Sequence, residues 1–168
     1  MRWLRYVIGL IIALTLHSLL ERFFPNALAF FNPYLILVVY YSMGGNLLGA
    51  ILAGVVAGLV QDAYSGAIFG LHAFSLTFVA YIVASVNSRV VLRGPIAFGG
   101  ALIGSVVINE VVIYILVNIL MKQKIGMFEQ SLLLKTAMTS VFGILVYQLL
   151  SLFLRDEPIE AMRKRAAY

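Results

Sequence analysis

The feature that most constrains this chain is a succession of long apolar segments joined by short polar ones. Six such segments can be marked, at residues 3–20, 27–43, 47–63, 67–86, 96–120 and 132–154. A helix needs about 20 mainly apolar residues to cross the hydrocarbon core of a bilayer. The pattern therefore predicts an all-α polytopic membrane protein with six transmembrane helices.

The composition leads to the same class of protein. Of the 168 residues, 62% are hydrophobic and only 11% are charged, whereas a soluble domain of this size needs far more charge to cover its surface. We expect one helical bundle over residues 1–154 and a short polar cytoplasmic tail at residues 155–168. The basic cluster in that tail, at residues 163–165, is expected to be an orientation signal that can also contact membrane lipid.

Arginine and lysine predict how the bundle is oriented, because cytoplasmic loops carry an excess of both. If the six spans alternate in direction, one side of the membrane carries eight of these residues and the other carries four. The richer side holds both termini, so both termini are predicted to be cytoplasmic. The net charge of +5 is explained by this asymmetry, and no nucleic acid partner is expected.

No motif in the sequence indicates catalysis. The chain has no cysteine, which excludes disulfides and thiolate metal sites. Its two histidines lack a local ligand motif such as H-x-x-x-H, and no pairing of a nucleophile with a base can be recognised. We expect a protein that is not an enzyme and that binds no metal or cofactor.

Small residues recur every four positions in the third and fifth segments. Residues four apart share one face of a helix, so such rows let a neighbouring backbone approach closely, which favours helix association in lipid. The rows predict packing within the bundle or docking of another protein's transmembrane helix. They comprise Gly45, Gly49, Ala53 and Ala57; Gly54 and Gly58; and Gly100 and Gly104.

A few polar side chains interrupt the apolar segments. A carboxylate at mid-membrane costs about 2.5–3.5 kcal/mol on insertion scales, so it is expected to face a partner or a cavity. Counting about 1.5 Å per residue along each helix places these residues in the outer half of the membrane. They form either a structural network, with Glu110 paired to Lys135 or a hydroxyl, or a ligand site or proton relay. The residues are His17, Asp62, His72, Asn109, Glu110 and Lys135.

The stretch GLVQDAYSGAIFG, at residues 58–70, carries a family pattern of the form G-L-x-x-D-x-x-S-G-x-x-x-G. A proline, Pro33, also opens the second apolar segment. In these features, and in length and number of segments, the chain resembles the rod shape-determining protein MreD family. The matching residues are Gly58, Leu59, Asp62, Ser65, Gly66 and Gly70, and His72 follows the motif.

The resemblance implies a protein of the bacterial inner membrane that acts in cell elongation. Members of this family act with MreC, RodA, a class B transpeptidase and, indirectly, the MreB cytoskeleton. The family is also similar in architecture to the substrate-binding S components of energy-coupling-factor vitamin transporters. At the turn that the motif contains, we expect Asp62 to accept hydrogen bonds from N–H groups that open the next helix, with His72 as a further partner.

Two functions are compatible with these features. The first is a non-catalytic scaffold that binds the transmembrane helix of MreC and helps position peptidoglycan synthesis. The alternative is a solute-binding membrane subunit in which Glu110 and His72 lie on the wall of a pocket. A proton-coupled transporter is disfavoured, because the chain shows no repeated halves of the kind that transporters use.

Overall fold

The computed structural model describes residues 2–23, 31–44, 46–66, 68–89, 95–121 and 131–153. Over these residues the chain forms six helices, so the all-α prediction and the number of helices are confirmed for this part of the chain. The tail at residues 155–168 lies outside the described residues. In chain order the helices are α1 Arg2–Phe23, α2 Pro33–Gly44, α3 Leu47–Ser65, α4 Leu71–Arg89, α5 Pro95–Met121 and α6 Ser131–Phe153.

Four of these helices, α1, α3, α4 and α5, are long and apolar enough to cross a membrane. Their outward side chains are apolar as well: Leu48 of α3 is 67% exposed and Ile96 of α5 is 90% exposed. A soluble protein rarely exposes apolar surface on this scale, whereas in a bilayer the same side chains contact lipid tails. The chain is therefore a membrane protein.

Helix α2 is shorter than the sequence predicts. It contains 12 residues, which span only about 18 Å at 1.5 Å per residue. The predicted start at residue 27 is wrong where it can be compared, because Phe31 and Asn32 are not helical; residues 27–30 lie outside the described residues. The helix begins at Pro33 because the Asn32 side chain accepts the N–H of Leu35 at 3.1 Å, and proline suits the first helical position.

Despite its length, α2 is the centre of the bundle. It packs against each of the five other helices, and Tyr34, Val38 and Val39 are fully buried. Around them lie buried side chains from α3, α4 and α5, among them Ala57, Leu76 and Leu102. The short helix is thus enclosed by protein, which explains why nearly every side of it is apolar.

Helix α4 begins later than predicted. The sequence places its start at residue 67, whereas the helix begins at Leu71 and ends at Arg89, three residues beyond the predicted end. A turn occupies residues 69–70, because the backbone there is held by a side chain of α3 described below. The limits of α5 and α6 agree with prediction to within one residue. Within α6, the described apolar part covers Thr136–Gln148.

Candidate functional site

The corner between α3 and α4 contains most of the motif residues. Helix α3 ends at Ser65, whose side chain is exposed, and Gly66 follows in the left-handed region with φ 61°. Gly70, just before α4, also has a positive φ of 96°. Residues with a Cβ adopt this region only with strain, whereas glycine does not. The two glycines therefore let the chain leave one helix and enter the next within five residues.

The carboxylate of Asp62 holds this corner together. Its Oδ2 accepts the backbone N–H groups of Gly70 at 2.9 Å and Ala73 at 3.1 Å. Its Oδ1 accepts the N–H of His72 at 2.9 Å and lies 2.8 Å from His72 Nδ1. The first N–H groups of a helix have no partner within it, and the helix end favours an anion. Asp62 supplies both a partner and a negative charge at the start of α4.

The contacts at this corner hold the start of α4 in a fixed position relative to the end of α3. The Asp62 side chain is fully buried, with 0% exposed, and the His72 side chain is 16% exposed. Each carboxylate oxygen accepts two hydrogen bonds, and the Nδ1 atom of His72 is occupied by Asp62. Within the described ranges, no three His, Asp or Glu side chains lie close enough together to hold a metal ion.

The row of Gly54 and Gly58 lies in the interface between α3 and α4. A methyl group added at Gly54 would lie 2.7 Å from the Cα of Thr77. At Gly58 it would overlap the backbone of Ala73. The two helix backbones are therefore in direct contact along this row, which is covered by α4 and is not open to a partner helix.

The other predicted row in α3 has a different environment. Asn46 caps the helix by accepting the N–H of Gly49 at 2.8 Å, and a methyl group at Gly49 would lie 2.5 Å from the same oxygen. The carbonyl of Ala53 accepts the hydroxyl of Tyr6, from α1, at 2.6 Å. Gly49 thus donates the hydrogen bond that caps the helix, and Ala53 faces α1. Gly45 lies outside the described residues.

The third row, Gly100 and Gly104 in α5, faces outward. Both glycines are exposed, and a methyl group added at either would meet no atom within 4 Å among the described residues. They do not pack against another helix of the described bundle. Both interpretations of this row, internal packing and docking of a partner, therefore stay predictions.

The predicted polar cluster is divided among several helices. Ser75 of α4 donates to the Oδ1 of Asn109 in α5 at 2.8 Å, and Asn109 Nδ2 lies 3.4 Å from the Oε1 of Glu110. His17 of α1 instead contacts the rings of Tyr34 and Tyr64. The side chain of Lys135 lies outside the described residues, so its predicted pairing with Glu110 stays a prediction.

Sequence reasoning did not single out three of the buried polar residues. Ser75 and Gln61 are 0% and 8% exposed, and the hydroxyl-bearing Tyr34 is 0% exposed. Gln61 lies four residues beyond Ala57 on the same face of α3, so the spacing of the small-residue row extends to it. Ser75 is one of several hydroxyl residues in α4, with Thr77, Ser85 and Ser88 among the others, and nothing in the sequence distinguishes it from those that are exposed.

Comparison with known proteins gives one result. The family model described as rod shape-determining protein MreD matches residues 1–154, nearly the whole chain. No curated protein matches the chain. No solved structure matches it either, so the architectural similarity to vitamin-transporter S components stays a prediction.

Proposed function

The chain belongs to the MreD family of rod shape-determining proteins, and from this premise we propose that it is a non-catalytic scaffold of the cell-elongation complex. Its role in determining rod shape follows from the family. We infer that the scaffold binds the transmembrane helix of MreC and helps position peptidoglycan synthesis. RodA and a class B transpeptidase are the enzymes that it helps position, and MreB is an indirect partner.

We place the protein in the inner membrane with all six helices crossing and both termini in the cytoplasm. An even number of crossings returns the two ends to the same side, and the eight arginines and lysines on that side support a cytoplasmic location. The short helix α2 is tolerated at membrane depth because protein surrounds it, so no irregular backbone at its ends needs to face lipid.

The observation that supports docking of a partner helix is the open glycine face of α5. Gly100, Gly104, Val107 and Val111 follow one another at intervals of four, three and four residues, so they share one helix face, and all four are exposed. Two glycines at this spacing let a second helix approach the backbone of α5 closely. The equivalent row in α3 is already covered by α4.

The test replaces Gly100 and Gly104 together with leucine and measures how much MreC co-purifies with the tagged protein from detergent. Bulk on this face should block close approach, so recovery of MreC should fall several-fold. The control is Ala137→Leu, which adds a leucine side chain at an exposed position of α6 and should leave recovery unchanged. Normal recovery of MreC with the double variant would show that the partner binds elsewhere.

The same variants test the positioning of the synthase. If the scaffold acts through MreC, the glycine double variant should lower co-purification of RodA and the transpeptidase together with that of MreC. Cells carrying it as their sole copy should lose rod shape, whereas cells carrying Ala137→Leu should keep it. Loss of MreC with full retention of RodA would contradict the proposed order of contacts.

A further inference from the structure

Three buried polar atoms at one end of the bundle have no hydrogen-bond partner among the described residues. They are His17 Nδ1 in α1, Tyr34 Oη in α2 and Gln61 Oε1 in α3. The three residues are 8%, 0% and 8% exposed, respectively. Buried polar atoms are nearly always hydrogen-bonded, because desolvation without a partner is costly. Three such atoms on three helices therefore call for a physical explanation.

These atoms differ from the other buried atoms that lack a partner. The remaining ones are hydroxyls of Ser42, Ser105 and Ser140. A serine hydroxyl in a helix can turn to the carbonyl four residues earlier in its own helix. The Gln61 Oε1 atom is an acceptor and cannot bond to a carbonyl, and the Tyr34 hydroxyl is held away from its own backbone by a rigid ring. These two atoms therefore need a partner from outside their own helices.

The three side chains lie on helices that pack against one another, α1, α2 and α3. The ring of His17 lies 5.4 Å from that of Tyr34 and 6.3 Å from that of Tyr64, measured between centroids. Gln61 lies on the face of α3 that carries Ala53, where α1 is held by the hydroxyl of Tyr6. Tyr64 is 47% exposed and forms the accessible edge of the group.

The donor and acceptor pattern of the group selects a neutral ligand. The Gln61 Oε1 atom accepts, the Tyr34 hydroxyl donates, and a neutral imidazole nitrogen does one or the other according to tautomer. An anion would face the acceptor oxygen of Gln61. An ammonium group would find no free buried carboxylate among the described residues, since Asp62 is occupied by His72 and the N–H groups of α4 and Glu21, four residues beyond His17 in α1, is exposed. A hydroxyl group both donates and accepts, so it matches the set.

We propose that His17, Tyr34 and Gln61 bind a neutral, hydroxyl-bearing ligand, a sugar or polyol, at the end of the bundle next to the Asp62 corner. The rings of Tyr34 and Tyr64 supply the apolar walls that such small-molecule sites combine with a few polar groups. The hydroxyls can belong to a lipid headgroup or to a free sugar. The site lies on α1, α2 and α3, apart from the α5 face proposed for MreC, so it adds a function to the scaffold.

The test measures thermal unfolding of the full chain in lauryl dimethylamine oxide, a detergent whose headgroup carries no hydroxyl. Glucosyl diacylglycerol, phosphatidylcholine and free glucose are added separately. A ligand that binds the native state raises the unfolding midpoint, so the glucosyl lipid should raise it and phosphatidylcholine should not. Glucose that raises it as much as the glycolipid would identify a soluble ligand, and a rise with the lipid alone would identify a headgroup.

Two nearly isosteric variants, Tyr34→Phe and Gln61→Met, should each abolish the rise. Tyr34→Phe removes a buried hydroxyl that has no partner among the described residues, so without ligand this variant should unfold at or above the wild-type temperature. Loss of the rise could then not be attributed to misfolding. Ser42→Ala, at the opposite end of α2, is the matched control and should keep the rise. The absence of any rise in the wild type, or a rise retained in both site variants, would overturn the proposal.

The two proposals fail independently. The double leucine variant of Gly100 and Gly104 should keep the ligand-induced rise, because it leaves the α1–α3 group untouched. Tyr34→Phe should keep recovery of MreC, because the hydroxyl lies inside the bundle.

Discussion

His72 is bound to Asp62 through both its backbone and its side chain, and both contacts use the same carboxylate oxygen. The backbone N–H of His72 lies 2.9 Å from Oδ1 of Asp62, and its Nδ1 lies 2.8 Å from that atom. The other oxygen of the carboxylate accepts N–H groups on either side, from Gly70 and Ala73. One buried side chain of α3 thereby determines where α4 begins.

Replacing Asp62 with alanine should destabilise the protein by about 3 kcal/mol, because it leaves buried donors without a partner. The measurement is unfolding of the purified protein in a dodecyl sulfate titration. Asp62→Asn, which keeps one acceptor oxygen, should lose less than the alanine variant. If Asp62→Ala unfolded at the wild-type midpoint and still bound MreC, the carboxylate would not hold the corner.

Replacing His72 with alanine should cost only about 1 kcal/mol, the net value of one hydrogen bond. The backbone N–H of residue 72 would still reach Asp62, so three of the four contacts would survive. The same titration should therefore rank His72→Ala between the wild type and Asp62→Ala. The reverse ranking would mean that the imidazole, and not the carboxylate, determines the stability of the corner.

Gly58→Ala should destabilise the protein by about 1–3 kcal/mol, the usual cost of overpacking a filled interior. The added methyl group would overlap the backbone of Ala73, which cannot move aside as the tip of a flexible side chain can. Gly104→Ala is the matched control in α5. Because space there is open, it should be neutral or stabilise the helix by up to about 1 kcal/mol. Equal effects at the two positions would contradict the described α3–α4 contact.

Gly66→Ala should cost about 1–2 kcal/mol, the strain of a residue with a Cβ in the left-handed region. No atom of the described residues lies within 4 Å of the added methyl group, so conformation decides the effect. Asparagine tolerates this region better, and Gly66→Asn should therefore be milder than Gly66→Ala in the same unfolding assay. A larger loss for asparagine would indicate a steric cause.

The hydrogen bond between Ser75 and Asn109 should have a coupling energy of about 0.6 kcal/mol, the mean for polar contacts between membrane helices. The measurement is a double-mutant cycle with Ser75→Ala and Asn109→Ala. Strictly additive effects of the two changes would show that the 2.8 Å contact contributes nothing to the pairing of α4 with α5.

The order and number of helices could be predicted because each helix that crosses a bilayer needs a continuous apolar segment of about 20 residues. The ends of α2 and α4 could not, for different reasons. Pro33 opens the apolar part of α2, but hydropathy does not register the cap that Asn32 forms, so the predicted helix begins too early. At α4, the turn before Leu71 depends on Asp62, which lies nine residues earlier in another helix, so no local pattern places that boundary.

The glycine rows also show what the sequence cannot predict. Gly54, Gly58, Gly100 and Gly104 have the same spacing in the sequence, yet the first two are covered by α4 and the last two face outward. A helix row records which residues share a face, but not whether a neighbour covers that face. The three side chains of the proposed ligand site are likewise far apart in the chain, and the helices that carry them contact one another only in the folded bundle.

Length, hydropathy and the motif around Asp62 were sufficient to determine that this is a six-helix membrane protein of a recognisable family, because transfer into lipid acts on each segment separately. The tertiary structure alone decided that the short α2 lies at the centre, and, over the residues that it describes, which glycines are open and which buried polar atoms have no partner. Those properties depend on contacts between helices distant in the chain, and such contacts are not encoded in the periodicity of any one segment.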